Sequence, residues 1–374
     1  MIHARHSATG KPVAVAIENG RIASVSPSTE KPRSWVAPAF FDPQINGALG
    51  ISFNSPQLTP DGVRTVVDEC NRHGIGALCP TLITGGFESL RHGFATLTKA
   101  IEADEELERR LPGFHLEGPY LSGEDGPRGA HPREHIRDPN REEFQRWQDA
   151  ANGRIRMVTV APERTGAIAF IEWLTSIGIV VAIGHTAAST QQLRDAVTAG
   201  AKTSTHLGNG AHAILPRHPN YIWDQLADDS LWASIIPDGH HLPAAVVKCI
   251  VRAKGIERTL ITSDASSLAG MPPGKYREWG TDLEVLPGGK VVLAGTPFLA
   301  GTPFLAGSGH FTDVCVGNVI RAAGVTLKDA VEMASVRPRQ LLGFPVNAIE
   351  VGQPADLVVF DWEPGGDVVV RNID

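Results

Sequence analysis

Five apolar runs of the chain end in residues that can do chemistry. Glu117 ends GFHLE, His185 ends GIVVAIGH and His206 ends AKTSTH. Asp238 ends WASIIPD, with His240 and His241 close behind, and Asp264 ends RTLITSD. One glutamate and two histidines make a recognised catalytic zinc set when a fourth position stays open. A metal held there lowers the pKa of bound water from about 15.7 toward roughly 7, and a nearby aspartate can serve as its base. Each residue also has a plain structural reading. A histidine at a strand end is most often a hydrogen-bonded core residue. Asp264 before Ala265-Ser266-Ser267 can cap a helix, and Glu117 before Gly118-Pro119 can pair with an arginine. Five such endings together favour a site. His115 alternates with Glu117 on one strand, as a supporting or core residue, whereas His73, His92 and His310 read as surface or packing residues.

These side chains meet only if the runs are parallel strands of one sheet. From about Val36 to Pro345, eight strand-like runs alternate with helical patterns: VAPAFFD, ALCPTLI, LPGFHLE, RIRMVTVAP, GIVVAIGH, AKTSTHL, WASIIPDG and RTLITSDA. The intervening helices include DGVRTVVDECNRHG, SLRHGFATLTKAIEADEELERR, STQQLRDAVTAG and LPAAVVKCIVRAKG. Ser189 with Gln192 predicts a capping box, and Gly200 and Gly255 predict helix ends. Eight strands with helices between them predict an α/β fold closed as a (β/α)₈ barrel, whose C-terminal face would carry the five endings. An open doubly wound sheet is the alternative, weakened by the lack of GxGxxG after an early strand. At the start, VAVAIENGRIASVSP predicts a hairpin at Asn19-Gly20. At the end, ADLVVFD and DVVVRN flank Gly365-Gly366. The two ends, residues 1–37 and 346–374, predict one small β domain beside a barrel of residues 38–345. LAGTPF occurs at Leu293–Phe298 and again at Leu299–Phe304, before LAGSG. It reads as a local duplication in a loop, too short for a solenoid.

Composition narrows the classes. The chain has 374 residues, with 34 Lys and Arg against 41 Asp and Glu, a net charge of −7. No basic run suggests nucleic acid, and no apolar stretch is long enough to predict a membrane span. The polar N-terminus lacks the apolar core of a secretion signal, and the four cysteines match neither a zinc motif nor a disulfide framework. Cys79 and Cys249 sit in apolar runs, which predicts buried thiols in a reducing cytoplasm.

GFHLEGPYLS, AIGHTAAS, STHLGNGA, PDGHHLP and TSDASSLAGMPPGKY, in this order, resemble the N-acetylglucosamine-6-phosphate deacetylases of the amidohydrolase superfamily. APAFFDPQINGALG near the start, and LAGSG with PADLVVFD near the end, are similar to the same family. The resemblance spans nearly the whole chain. It implies a distorted (β/α)₈ TIM-like barrel, a small β-sandwich built from both termini, a cytoplasmic homodimer, and hydrolysis of an acetamido group to an amine and acetate. Carried over, Glu117, His185 and His206 correspond to metal ligands and Asp264 to the acid/base. His241 corresponds to the residue that polarises the substrate carbonyl. Asn209 and Gly210 fall where backbone amides hold a phosphate, and Arg217 where a neighbouring subunit's arginine does. Ala130 and His131 match a further substrate-contacting pair, and Leu305, Ala306 and Gly307 a loop that closes on the sugar. The implied cofactor is one divalent metal, with Zn²⁺ suited to the donor set and Fe²⁺, Co²⁺, Mn²⁺ or Ni²⁺ also compatible.

Two departures stand out. Many amidohydrolases carry His-x-His where this chain has Gln44-Ile45-Asn46, and these amides predict a weak or absent second metal site. In HLGNGA, Gly208 and Gly210 remove side chains beside the phosphate position, which predicts a wider pocket and leaves the sugar open. Another N-acyl amino sugar, or a cyclic amide, is the alternative substrate. A silent sugar-phosphate sensor is the alternative class, and Glu117, His185, His206 and Asp264 speak against it. Arg217 and GMPPGKY favour a sugar phosphate.

Overall fold

The structure is a computed structural model that describes residues 1–278, 281–294 and 305–371. Eight parallel strands make the barrel: Phe40–Ile45, Ile75–Ile83, Phe114–Glu117, Ile155–Val160, Val180–Ile183, Thr203–Ser204, Trp232–Ile235 and Thr259–Ile261. They pair in sequence order. The first and eighth meet through a parallel bridge between Ile45 and Ala265. Asp42 reinforces that seam. Its buried carboxylate accepts from Thr262 Oγ1 at 2.5 Å, Ser263 Oγ at 2.6 Å, Ser263 N at 2.8 Å and Thr312 Oγ1 at 2.7 Å. Each predicted run supplies one barrel strand.

The barrel interior is layered. Phe41, Ala77, Cys79, Met157, Ala182 and Leu342 form an apolar plug. Burying a large apolar side chain stabilises by roughly 1.5–3 kcal/mol, so this end needs no polar partner. A hydrogen-bonded polar cluster also lies inside the barrel: His115 Nε2 meets Thr159 Oγ1 at 2.8 Å, and Thr159 Oγ1 meets Thr205 Oγ1 at 2.8 Å. Burial pushes the His115 imidazole down to about 4, so it is neutral. It is a core residue two positions before Glu117. The main hydrophobic core includes Phe94, Phe114, Phe144 and Trp147. Trp147 stacks on Phe87 and donates its ring N–H to the Phe87 carbonyl at 3.1 Å.

Local signals explain the helix limits. Ser189 and Gln192 form a reciprocal capping box, and Gly200 follows that helix at a φ of +107°. Gly255 ends Ala244–Lys254. The run SLRHGFATLTKAIEADEELERR is two helices, not one: Phe87–Glu102 stops, and Asp104 accepts from the amides of Glu106 and Leu107 to start Glu105–Arg110. An N-capping aspartate competes with helix continuation. Cys249 is exposed, against expectation, because Val247, Ile250 and Val251 take the inner face of its helix. Cys70, Cys79 and Cys315 are buried.

The terminal segments form one six-stranded sheet in the order Val369–Arg371, Leu357–Asp361, Ser34–Pro38, Ile2–His6, Pro12–Glu18, Arg21–Pro27. Asn19 and Gly20 turn its hairpin with φ of 50° and 72°, the two positive values that a type I′ turn demands. A further four-stranded antiparallel sheet, which no sequence pattern predicted, follows the eighth barrel strand: Gly274–Glu278, Thr281–Val285, Lys290–Leu293 and Leu305–Ser308. Leu283, Val285 and Val291 pack it onto Leu268. Residues 295–304, with most of the duplicated LAGTPF, lie outside the described residues. Among the described residues no helix is long and apolar enough to cross a membrane.

Candidate active site

The strand endings converge at the barrel mouth. Among the described residues six non-glycines have positive φ, and three of them are His185, His206 and Asp264, at 49°, 27° and 50°. Left-handed backbone is uncommon for non-glycine residues and collects where a site holds side chains in place.

Glu117, His185 and His206 are buried, and their ligand atoms all lie within 4.8 Å of one another. His206 Nε2 is 3.0 Å from Glu117 Oε1, and His185 Nε2 is 3.2 Å from both Glu117 Oε1 and His206 Nε2. His185 Nδ1 sits 2.8 Å from the Pro127 carbonyl, to which it can only donate. In a neutral ring the lone pair is therefore on Nε2, facing the carboxylate. Three electron-pair donors bunched in this way fit a divalent cation between them. Burial pushes the Glu117 carboxyl up, but the two imidazoles outweigh it and hold it well below the usual carboxylate range. Burial lowers and the Glu117 carboxylate raises the His206 imidazole, with a net rise.

Asp264 stands beside this cluster. Gln44 Nε2 and Asn46 Nδ2 both donate to its Oδ1, at 3.0 and 2.7 Å. Burial, helped by the charge on Glu117, pushes the Asp264 carboxyl up to about 7. Asp238, which ends the seventh run, anchors His241. Its Oδ2 accepts from His241 Nδ1 at 2.8 Å and from Ser308 Oγ at 2.8 Å, while its Oδ1 takes the amides of His240 and His241, each at 2.8 Å. Burial alone would raise Asp238, yet the bonds from His241 hold it below the usual range. The remaining ring nitrogen of His241, Nε2, is thus left for another partner.

A cavity of about 710 Å³ opens over these groups. Ala130, His131, Asn209, Gly210, Leu305, Ala306 and Gly307 line it together with Asn46, Glu117, His185, His206, His241 and Asp264. His131 Nδ1 meets Thr84 Oγ1 at 2.9 Å, and its Nε2 lies 3.2 Å from His185 Nε2. Burial drives its imidazole down to about 3, so it is neutral. Gln44 is buried but does not reach the cavity wall. Arg217 is exposed and stands apart from the cavity, on a loop whose Ile214 is 85% exposed. Gly210 has a packing reason as well. A Cβ there would lie 2.5 Å from His185 Nδ1, at a φ of +56°. The missing side chain makes room for His185.

Several contributors were not visible in the sequence. Thr84, Asp42 and the Pro127 carbonyl act through contacts that only the fold creates. Glu278 and Lys290 come from the inserted sheet, and Lys290 is the one lysine or arginine that lines the cavity among the described residues.

An eight-stranded barrel with a Glu/His/His cluster and an aspartate at its mouth defines a metal-type amidohydrolase, and residues 280–372 match the amidohydrolase family. The chain is 34% identical over 339 residues to the human N-acetylglucosamine-6-phosphate deacetylase, covering 87% of this chain and 79% of that protein. It is 31% identical over 352 residues to the N-acetylgalactosamine-6-phosphate deacetylase of Escherichia coli O157:H7, covering 92% and 89%. The structure of N-acetyl-D-glucosamine-6-phosphate deacetylase from Mycobacterium smegmatis, an aspartate-to-alanine variant in complex with N-acetyl-D-glucosamine-6-phosphate, matches with a TM-score of 0.84. That match has 32% identity and covers 96% of this chain and 95% of that one. The chain belongs to the N-acetylglucosamine-6-phosphate deacetylase family.

Proposed function

We propose that the protein hydrolyses the acetamido group of N-acetylglucosamine-6-phosphate to glucosamine-6-phosphate and acetate. The observation that carries this reading is the placement of Asp264, a buried carboxylate with raised proton affinity, beside the Glu117/His185/His206 cluster. Glu117, His185 and His206 would hold a divalent metal, best matched by Zn²⁺, which would supply an activated water at neutral pH. Asp264 accepts a proton as the water attacks and returns it to the leaving nitrogen, because an amide cannot expel an unprotonated amide ion. Gln44 and Asn46 hold Asp264 by one oxygen and keep the other available. Only their amide nitrogens are committed to Asp264, and amide oxygens are weaker zinc ligands than neutral imidazole, which supports one metal per chain rather than two.

His241, fixed through Nδ1 by Asp238, presents Nε2 to the acetyl carbonyl. One such donor is worth about 3–4 kcal/mol of transition-state stabilisation in other enzymes. The backbone amide of Gly210 receives the phosphate, while the amide of Asn209 beside it donates to the His206 carbonyl at 3.0 Å and holds the turn. Arg217, exposed on its own chain, serves the site of a second copy in a homodimer, since its planar fork can give two charge-assisted bonds to a phosphate. Ala130, His131 and Leu305 to Gly307 contact the sugar. Residues 1–37 with 346–374 are assigned to the small β unit and 38–345 to the barrel unit, which also carries the inserted sheet, in an enzyme of the cytoplasm.

Acetate release from N-acetylglucosamine-6-phosphate by metal-analysed protein tests this reading, with unphosphorylated N-acetylglucosamine and N-acetylgalactosamine-6-phosphate alongside. Phosphate-dependent turnover with about one metal per chain is expected. Metal-loaded protein that releases no acetate from N-acetylglucosamine-6-phosphate would overturn it.

A further inference from the structure

The inserted four-stranded sheet brings to the cavity an ionisable group that the reaction does not use. Along Gly274–Glu278 burial alternates, so that Tyr276 and Glu278 turn inward while Lys275 and Arg277 face solvent. Glu278 lines the cavity together with Ser266 and Ser267. Ser267 is buried, three residues beyond Asp264, and donates its hydroxyl to Glu278 Oε2. Oε1 of Glu278 has no hydrogen-bond partner among the described residues.

Among the described residues no cation pairs with this carboxylate. Arg277 turns outward to Asp282, and Lys290, on the same cavity wall, makes no ion pair with Glu278 among the described residues. Burial accordingly raises the Glu278 carboxyl, and only the Ser267 hydroxyl works against that. A half-buried carboxylate oxygen that no protein donor holds is left to water or to a donor brought by the ligand, and a ligand donor that displaces the water must replace its hydrogen bond. Its surroundings therefore ask for a donor from the ligand. In an amino sugar the groups that can donate, apart from the reacting amide, are the ring hydroxyls.

We propose that Glu278 is a specificity residue: its free oxygen accepts a hydrogen bond from a ring hydroxyl of the bound amino sugar, while Ser267 holds its other oxygen in place. This rests on the reading of the cavity as an N-acetyl amino sugar site. A hydroxyl that is missing or inverted leaves the oxygen unpaired, and a site built to bind a hydroxyl rejects an analogue without it. The inserted sheet, rather than the barrel, would then decide which sugar is accepted.

The test compares metal-loaded wild type with Glu278→Leu, Glu278→Gln and Ser267→Ala. The substrates are N-acetylglucosamine-6-phosphate, its 3-deoxy and 4-deoxy analogues, and the 4-epimer N-acetylgalactosamine-6-phosphate. Wild type should lose about 10–100-fold in kcat/KM when one particular hydroxyl is removed, the range expected for a hydrogen bond to a charged group. Glu278→Leu should lose a similar factor on the full substrate and then show no further loss on that deletion. Glu278→Gln keeps an acceptor and should fall between, as should Ser267→Ala. Metal content and thermal midpoint identify any variant that fails to fold, and the two milder variants then carry the comparison. If Glu278→Leu, Glu278→Gln and Ser267→Ala all keep the wild-type ratio between full and deoxy substrates, or lower every substrate equally, Glu278 does not read the sugar. If wild type turns over none of the four, the deacetylase reading itself falls, a result distinct from an unchanged ratio.

Discussion

Asn46 Nδ2 donates to Asp264 Oδ1 at 2.7 Å, across the seam where the first and eighth barrel strands meet. An amide at a position where related enzymes carry a metal-binding histidine is therefore a brace for the acid/base. Its bond favours the ionised carboxylate, so its removal should raise the proton affinity of Asp264. Asn46→Ala is expected to lower kcat about tenfold and to move the acidic limb of the pH–rate profile upward. Metal content should stay unchanged. Loss of metal with an unmoved profile would make Asn46 a ligand instead.

Asp264 should also be a source of instability in the metal-free protein. Its folded pKa of about 7 lies above the ordinary 3.8. The folded state thus binds this proton more tightly than the unfolded chain does. The resulting stability is fully present below about pH 4 and is lost as pH rises through 7. Asp264→Asn removes the titration and keeps an oxygen for Asn46. Chelated Asp264→Asn should be more stable than chelated wild type at pH 8, by on the order of 4 kcal/mol, with the gap falling to less than half of that at pH 5 and closing only below about pH 4. Urea unfolding at both values measures it. Turnover of the metal-loaded variant should fall by about 10²–10⁴-fold. Equal stabilities at pH 8 would mean that Asp264 titrates normally.

Much of this site was legible because barrel topology places every strand ending at one mouth. Glu117, His185, His206 and Asp264 needed only the run boundaries and the parallel order. Asp42 was not legible. It sits in the first strand with nothing in the local pattern to reveal that Thr262, Ser263 and Thr312 would surround it, more than two hundred residues away. The inserted sheet was missed for a different reason. Its strands run only four or five residues, and GKYRE and TDLEV carry charges on their outer faces. Such short polar segments read as loop until the packing of Leu283, Val285 and Val291 is known. Cys249 misled because an apolar run on a helix says nothing of which face it presents.

Gly210 gives a test of the ligand geometry without touching a ligand. A methyl group there would meet His185 Nδ1 at 2.5 Å, the atom that donates to Pro127 O. Gly210→Ala should displace the ring or break that bond, and the backbone at φ +56° adds strain. Metal affinity is expected to fall about 10–100-fold, the usual cost of losing the group that orients a ligating histidine. Competition with a chelator of known affinity reads this directly. Wild-type affinity in Gly210→Ala would show that the His185 contact does not govern metal binding.

Arg217 is exposed and lies outside the cavity of its own chain, so a role at the phosphate requires a second copy. Arg217→Ala should raise KM for the phosphorylated sugar and leave the unphosphorylated sugar nearly unaffected, because only the former offers an anion to the guanidinium. Subunit mixing then decides between the two chains. Arg217→Ala keeps Asp264, and Asp264→Asn keeps Arg217. If Arg217 acts across the interface, each hybrid dimer holds one complete site. Random equal mixing should then restore about a quarter of wild-type activity at limiting substrate, half the dimers being hybrid and half their sites complete. If Arg217 acts within its own chain, no hybrid site is complete and mixing restores nothing. Activity that stays at the level of the separate variants, in a mixture shown by mass spectrometry to contain hybrids, would return Arg217 to its own subunit or remove it from the phosphate site.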